Sequence, residues 1–170
     1  MTRVIVCSLS RIDEIAAASG ARSMVTLINA GTPVQRPAGI APERHLFIGM
    51  SDIAEPLDGH IAPGGNHVDQ LLDFARAWDR RAPLLIHCWA GVSRSTAAAF
   101  VSACALNPER EEAEIAAAIR AASPTATPNP RFVAIADERL KRSGRMIAAV
   151  EAIGRGEDCF EGVPFDLPLS

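Results

Sequence analysis

The chain has 170 residues, of which 48% are hydrophobic and 22% are charged, and its formal net charge at pH 7 is −3. This balance is typical of one globular domain with a substantial core, and we expect residues 1–170 to form a single domain. The negative charge offers no basic surface for nucleic acid, and no apolar run is long enough to span a bilayer.

The start of the chain lacks the pattern of a signal peptide. The cysteines form no CxxC pair, and their spacing fits no zinc site. We therefore expect a cytoplasmic protein with free thiols and with neither a metal nor another cofactor.

The first half of the chain predicts strands that alternate with helices. Short apolar runs predict four strands, over residues 3–7, 24–28, 45–48 and 84–87, and the first of them is predicted to be buried. A short helix with Ser10 as its cap is predicted to end at Ser19-Gly20. The stretches 31–42 and 52–65 are rich in Pro and Gly and predict loops. Asn66 is predicted to cap a longer helix. The apolar stripe of this helix consists of Val68, Leu71, Leu72, Ala75 and Trp78.

After the fourth strand the pattern changes to helices. The first of them follows the loop after this strand, and Asn107-Pro108 predicts the start of another, with a cap and a proline at the first helical position. A proline-containing linker, 123–130, precedes a long helix from Phe132 to about Ile153, with Ser143-Gly144 as a candidate break. The segment after Gly154 has no pattern that predicts an element.

This order of elements predicts an α/β fold, a single domain with a short, mostly parallel central sheet flanked by helices. In such sheets binding sites lie at the carboxyl ends of the strands. The nine residues from His87 to Ser95 stand at such a position, between the fourth strand and a helix. We therefore expect a phosphate-binding loop between this strand and this helix.

The loop contains the groups that phosphate-ester chemistry requires. Its backbone N–H groups can converge on an anion, and the positive end of the helix dipole assists them. Gly91 permits backbone angles that other residues avoid, and Arg94 offers a two-pronged donor to two phosphate oxygens. The same positive potential favours a Cys88 thiolate, a nucleophile that forms a phosphocysteine. The predicted phosphate-binding residues are Trp89, Ala90, Gly91, Val92, Ser93 and Arg94.

Two neighbours of the cysteine have predicted supporting roles. The Ser95 hydroxyl is placed to stabilise sulfur as a leaving group, and His87 is placed to order the loop by donating to a backbone carbonyl. The alternative is that Cys88 is an ordinary core residue, because cysteine is often buried and Cys-x5-Arg alone is unspecific. The coincidence of five suitable residue types at one strand–loop–helix junction favours the catalytic role.

Residues 87–95 read His87-Cys88-x-Ala90-Gly91-x-Ser93-Arg94-Ser95. This pattern resembles the signature loop of the cysteine-based protein tyrosine phosphatases, and most closely that of the dual-specificity branch. A second segment, Thr127–Phe132, is similar to the one that opens the last helix in that branch. The resemblance covers mainly residues 45–140 and implies one phosphatase-like catalytic domain. It implies an enzyme that acts on phosphotyrosine in proteins, with phosphoserine and phosphothreonine as further substrates.

The resemblance also implies an aspartate, on a loop before the cysteine, that donates a proton to the leaving group. Asp52 and Asp58 are the candidates. Asp52 is favoured because it closely follows the third strand, whereas Asp58 stands beside Gly59 and suits an ordinary turn.

Other substrates and one other class of function remain open. The same chemistry can act on a nucleotide, an RNA 5′-phosphate or a lipid, although the acidic composition disfavours RNA. The loop has no lysine, which favours a substrate with a single phosphate. A non-catalytic phosphate-binding module is disfavoured because Cys88 and Arg94 are both present. We expect a phosphorylated protein or a small phosphate ester as partner, with no nucleic acid and no membrane, and the oligomeric state stays open.

Overall fold

The computed structural model describes residues 2–169, so the two end residues of the predicted 1–170 domain lie outside the described residues. The strands are β1 Arg3–Ser8, β2 Ser23–Ile28, β3 His45–Gly49, β4 Leu84–Cys88 and β5 Phe165–Pro168. They form one sheet in the order β3-β2-β4-β1-β5. The first four strands run parallel, and β5 pairs antiparallel with β1. The predicted mostly parallel sheet is therefore confirmed.

The helices flank this sheet. They are α1 Ile12–Ser19, α2 Gly65–Ala77, α3 Arg94–Leu106, α4 Glu112–Ala122, α5 Pro130–Arg139 and α6 Arg145–Ile153, with short 3-10 turns at Leu9–Arg11 and Pro42–Arg44. Within residues 2–169, no helix is both long and apolar enough to cross a membrane.

The sheet packs a core on each face, because successive strand residues point to opposite sides. On one face Val6 and Ile86 pack with apolar residues of α2 to α6, which include the fully buried Phe100. On the other face Ile5 and Leu85 belong to a smaller core under α1. Nearly the whole of α3 is buried, so its N-terminus is held firmly against the end of β4.

The helix boundaries show where sequence patterns predicted correctly and where they did not. The break between α5 and α6 is confirmed, with Ser143 at a φ of 54° and Gly144 at 85°. The predicted helix start at Asn107-Pro108 is wrong, because α4 begins at Glu112. The Asn107 side chain instead donates to the carbonyl oxygen of Ala103 (2.9 Å) at the end of α3.

The N-terminus of α2 also differs from the expectation. The helix begins at Gly65, so Asn66 lies inside the first turn and is not the cap. The Gly64 N–H donates to Nδ1 of His67 at 3.0 Å, and this contact satisfies a backbone donor at the helix start.

The segment between α6 and β5 crosses the carboxyl end of the sheet, and we call its residues 154–163 the strap. The Gly156 N–H donates to Oγ1 of Thr127 (3.0 Å), and the Gly162 N–H donates to the carbonyl oxygen of Ala90 (2.9 Å). The strap therefore lies directly on the loop that follows β4. The chain then returns as β5, which makes β1 an interior strand.

Candidate active site

Cys88 is the last residue of β4, at the carboxyl end of a central strand, and α3 begins at Arg94. We call residues 88–94 the Cys88 loop. Gly91 in this loop has a φ of 72°, and a Cβ at this position would lie 2.9 Å from the backbone carbonyl carbon of Cys7. Glycine is needed here both for the left-handed conformation and for the close passage over β1.

The Cys88 sulfur is buried and in contact with two polar groups. Ser95 Oγ lies 3.0 Å from Sγ, and the Gly91 N–H donates to Sγ at 3.3 Å. The helix α3 begins at Arg94, at the end of the Cys88 loop, so the positive end of its dipole also lies at this loop. These groups are suited to stabilising negative charge on the sulfur.

Arg94 is buried, and one end of its guanidinium group is fixed by the protein. Nη1 donates to Oδ1 of Asn29 (2.6 Å) and to the carbonyl oxygen of Met50 (2.9 Å). Nε is buried without a hydrogen-bond partner among residues 2–169, and Nη2 likewise donates to none of them. The unoccupied edge of the group is therefore the Nε–Nη2 fork, which can bind two oxygens of one phosphate.

The backbone of the Cys88 loop also offers unused donors. In the described part of the chain, no N–H group of residues 90–94 donates to a backbone oxygen. The Gly91 N–H donates to the Cys88 sulfur instead. N–H groups at a helix N-terminus lack partners within the helix, and a nest of them binds anions.

These donors surround a cavity of about 290 Å³. Its walls are formed by Asp52, Cys88, Trp89, Ala90, Val92, Ser93, Arg94 and Cys159. Of the predicted phosphate-binding residues, only Gly91 does not line it. Cys159 is an exposed thiol on the strap, and its place at the cavity cannot be predicted from the sequence, because no local pattern predicts where the strap lies.

Asp52 lines the cavity from the loop after β3. Its Oδ1 accepts hydrogen bonds from Ser93 Oγ and from Asn129 Nδ2, both at 2.8 Å. Asn129 is also the N-cap of α5, where its Oδ1 accepts from the Phe132 N–H at 3.0 Å. The carboxylate is thus fixed by the Cys88 loop and by the start of α5. Asp58, the other candidate acid, is exposed and does not line this cavity.

His87 is fully buried and connects the Cys88 loop to the interior of the sheet. Its Nδ1 lies 3.1 Å from the Cys88 carbonyl oxygen, and its Nε2 lies 2.7 Å from Thr26 Oγ1, which lies 2.7 Å from His45 Nε2. A carbonyl oxygen can only accept, so Nδ1 of His87 donates and Nε2 accepts from the Thr26 hydroxyl. The His45 ring then donates to Thr26.

The protonation of His87 agrees with this chain of hydrogen bonds. Burial lowers the pKa of His87 to about 4, although the hydrogen bond to the Cys88 carbonyl opposes this shift. The ring is therefore neutral at pH 7 and has the one donor and one acceptor that the chain needs.

The fold is similar to solved structures of dual-specificity and protein tyrosine phosphatases. DUSP15 is 19% identical, with a TM-score of 0.63 over 93% of this chain and 96% of DUSP15. Human DUSP28 is 19% identical, with a TM-score of 0.61 over 81% of this chain and 88% of that protein. The PTP-2 phosphatase of Cydia pomonella is 18% identical, with a TM-score of 0.61 over 78% and 83%.

No protein-family model matches the chain, and no curated protein matches it. The likeness to the solved phosphatases extends over most of this chain and most of each of them, and it confirms the expected fold. The chain therefore has the fold of the cysteine-based protein tyrosine phosphatases, of the dual-specificity type.

Proposed function

We propose that the chain hydrolyses phosphate monoesters through a phosphocysteine intermediate. The observation that carries this proposal is the unoccupied Nε–Nη2 edge of buried Arg94 in the same cavity as the Cys88 thiol. A buried donor without a partner costs about 1–3 kcal/mol, and a bound phosphate would remove this cost.

The favoured substrate is phosphotyrosine in a protein, with phosphoserine and phosphothreonine as further substrates. Among residues 2–169, Arg94 is the only cationic residue that lines the cavity, which suits one phosphate group rather than several. The volume of about 290 Å³ suits a single phosphorylated side chain. The resemblance of the Cys88 loop to that of the tyrosine phosphatases supports protein substrates.

In the first step the Cys88 thiolate donates its electron pair to phosphorus and forms the S–P bond. The P–O ester bond breaks, and its electron pair leaves with the ester oxygen. Protonated Asp52 gives its proton to that oxygen, so the product is a neutral alcohol or phenol. Arg94 and the N–H groups of the Cys88 loop bind the other phosphate oxygens throughout.

In the second step a water molecule attacks the phosphorus of the phosphocysteine. Asp52, now a carboxylate, takes a proton from this water, and inorganic phosphate forms. The S–P bond breaks, and its electron pair returns to Cys88 as a thiolate. The Ser95 hydroxyl, 3.0 Å from Sγ, can donate to this thiolate and so make sulfur a better leaving group.

Substitution of the nucleophile tests the proposal. We expect Cys88→Ser to lower kcat/KM for p-nitrophenyl phosphate by roughly 10⁴-fold or more, because the serine hydroxyl that replaces the thiol does not ionise to a nucleophilic alkoxide at neutral pH. Binding of tungstate, measured by titration calorimetry, should survive in this variant because Arg94 and the loop N–H groups remain.

Cys104→Ser is the matched control, since Cys104 is a buried thiol in α3 that does not line the cavity. It should keep the activity of the parent. Turnover that persists in Cys88→Ser would contradict the phosphocysteine. A wild-type protein that binds tungstate but hydrolyses neither the aryl phosphate nor phosphopeptides, nucleotides and phospholipids would instead be a phosphate-binding module.

A further inference from the structure

A second cavity, of about 200 Å³, opens beside the catalytic cavity. We call it the strap groove, and its walls are formed by Leu9, Ser10, Trp89, Ala90, Phe160 and Glu161. Trp89 and Ala90 also line the catalytic cavity, so the two cavities share a wall. A substrate with its phosphate at Cys88 must therefore pass close to the strap groove.

The groove presents apolar side chains to solvent. Trp89 is 57% exposed and Phe160 is 91% exposed. Exposed large apolar side chains that line one concave surface mark a binding surface rather than a core. Aromatic side chains of this kind contribute much of the free energy of peptide binding when a ligand covers them.

The wall that carries Phe160 is fixed on both sides. Before it, the Glu157 N–H donates to the Pro124 carbonyl oxygen at 2.9 Å, and after it the Gly162 N–H donates to the Ala90 carbonyl oxygen at 2.9 Å. The strap is so close to the Cys88 loop that a Cβ on Gly162 would lie 3.0 Å from a backbone oxygen of that loop. The backbone of this wall is therefore in place before a ligand binds, which reduces the entropy lost on binding.

Glu161 gives the groove a negative charge. Its carboxylate accepts hydrogen bonds from the hydroxyls of Ser10 and Ser8, and these contacts lower its pKa. It forms no ion pair with any of residues 2–169 that the structure describes. A carboxylate without an ion-pair partner complements a cation and repels an anionic surface.

We propose that the strap groove binds the apolar side chain next to the phosphorylated residue of a peptide substrate, and that Glu161 pairs with a basic residue beside it. This proposal rests on the proposed phosphatase function and names the substrate class of the same site. The groove is smaller than the range of about 300–1,000 Å³ that holds a drug-sized ligand, so it fits one side chain rather than an acyl chain.

The test compares phosphotyrosine peptides that differ only beside the phosphorylated residue, with Leu or Gly on its N-terminal or its C-terminal side. In the wild type we expect one of the Leu peptides to have a kcat/KM about 10-fold above its Gly counterpart. Phe160→Ala should reduce this ratio to below about 2-fold, because the leucine side chain of the peptide then has no aromatic ring of residue 160 to pack against.

Val163→Ala is the control, because Val163 is a strap residue with 77% exposure that lines neither cavity. It should keep the wild-type ratio. Addition of a lysine next to the leucine should raise kcat/KM by about 2- to 5-fold in the wild type and not in Glu161→Gln.

The outcomes separate the two proposals. Hydrolysis of p-nitrophenyl phosphate and of both Gly peptides without any preference for leucine would overturn the strap groove and leave the phosphatase standing. A preference that is equal in the wild type and in Phe160→Ala would also overturn it. A micellar phospholipid that is hydrolysed faster than every peptide, and that Phe160→Ala selectively slows, would assign the groove to a lipid instead. A wild type that hydrolyses nothing would overturn both proposals.

Discussion

Asp52 is held at the cavity by two donors that approach the same oxygen. Ser93 Oγ and Asn129 Nδ2 both lie 2.8 Å from Oδ1, while Oδ2 accepts no hydrogen bond from the described residues. In the mechanism proposed above, Oδ2 would therefore carry the transferred proton. A general acid matters most when the leaving group is a strong base, because the oxygen then needs its proton during bond cleavage.

Replacement of Asp52 tests this assignment. We expect Asp52→Asn to lower kcat for phenyl phosphate by about 10²- to 10⁴-fold, and to have a much smaller effect with aryl phosphates whose phenols are acidic. The measurement is kcat across a series of aryl phosphates. Asp58→Asn changes an exposed loop carboxylate and is the control. A leaving-group effect confined to Asp58→Asn would transfer the role to that residue.

The buried His87 makes the stability of the protein depend on pH. Its pKa is about 4 in the folded protein and 6.5 in an exposed reference, with burial as the main cause. Above pH 6.5 the ring is neutral in both states, and its preference for the neutral form makes its full contribution to stability. This contribution is lost as the pH falls from 6.5 to 4, because the unfolded chain then binds the proton first.

We expect this one residue to lower the free energy of unfolding by about 2 kcal/mol between pH 7 and pH 5. The measurement is urea unfolding at both pH values. His87→Gln should lose less stability over this range than the wild type, whereas His60→Gln, a change at an exposed loop histidine, should match the wild type. An NMR titration that gives His87 a pKa near 6.5 would contradict the prediction.

At the scale of elements, a buried ion pair joins α4 to the turn before α6. Glu112 Oε1 lies 2.8 Å from Arg142 Nη1, and Glu112 Oε2 lies 3.2 Å from Arg145 Nε. Arg142 also donates to the Cys104 carbonyl oxygen at 2.9 Å, so it ties α3 to the same cluster. Burial acts to raise the pKa of Glu112, but the hydrogen bonds from both arginines outweigh it and the pKa is lowered.

Loss of one member of the Glu112–Arg142 pair should destabilise the protein strongly, because it leaves the other charge buried and unpaired. We expect Glu112→Gln to lower the free energy of unfolding by about 3 kcal/mol. Glu114→Gln, an exposed change in the same helical turn, should have an effect within about 0.5 kcal/mol. Urea unfolding of both variants measures the difference, and equal midpoints would show that Arg142 finds other partners.

The parallel strands β1 to β4 are predictable from the sequence, whereas β5 and several helix ends are not. The buried parallel strands β1, β2 and β4 are mostly apolar runs, and the edge strand β3, which is only partly buried, also has a short apolar run, so all four are visible in the local sequence. A cap residue can serve either the helix it precedes or the one it follows, and Asn107 serves the end of α3. In β5, Phe165 and Leu167 are buried and Asp166 is exposed, but four residues are too short a pattern without their partner strand.

At the scale of the whole molecule, contacts within one short segment of the site are predictable from the sequence, whereas contacts between distant segments are not. Cys88 and Ser95 belong to one short strand–loop–helix segment, so their proximity follows from local sequence. The contacts of Arg94 with Asn29 and of Asp52 with Asn129 join residues far apart in the chain. No local pattern encodes such distances, and the position of Cys159 at the cavity was unforeseen for the same reason.

The C-terminal segment forms a wall of the groove, and its strand β5 also covers one edge of the sheet. Without β5, the apolar strand β1 would be the open edge of the sheet and would expose unpaired N–H and C=O groups to other chains. The edge that β5 itself presents is short and carries Asp166 and Pro168, features that oppose edge-to-edge association. The strap that lines the proposed groove is thus continuous with the strand that covers the edge of β1. Removal of the C-terminal segment would confound specificity with aggregation, and single substitutions such as Phe160→Ala separate the two.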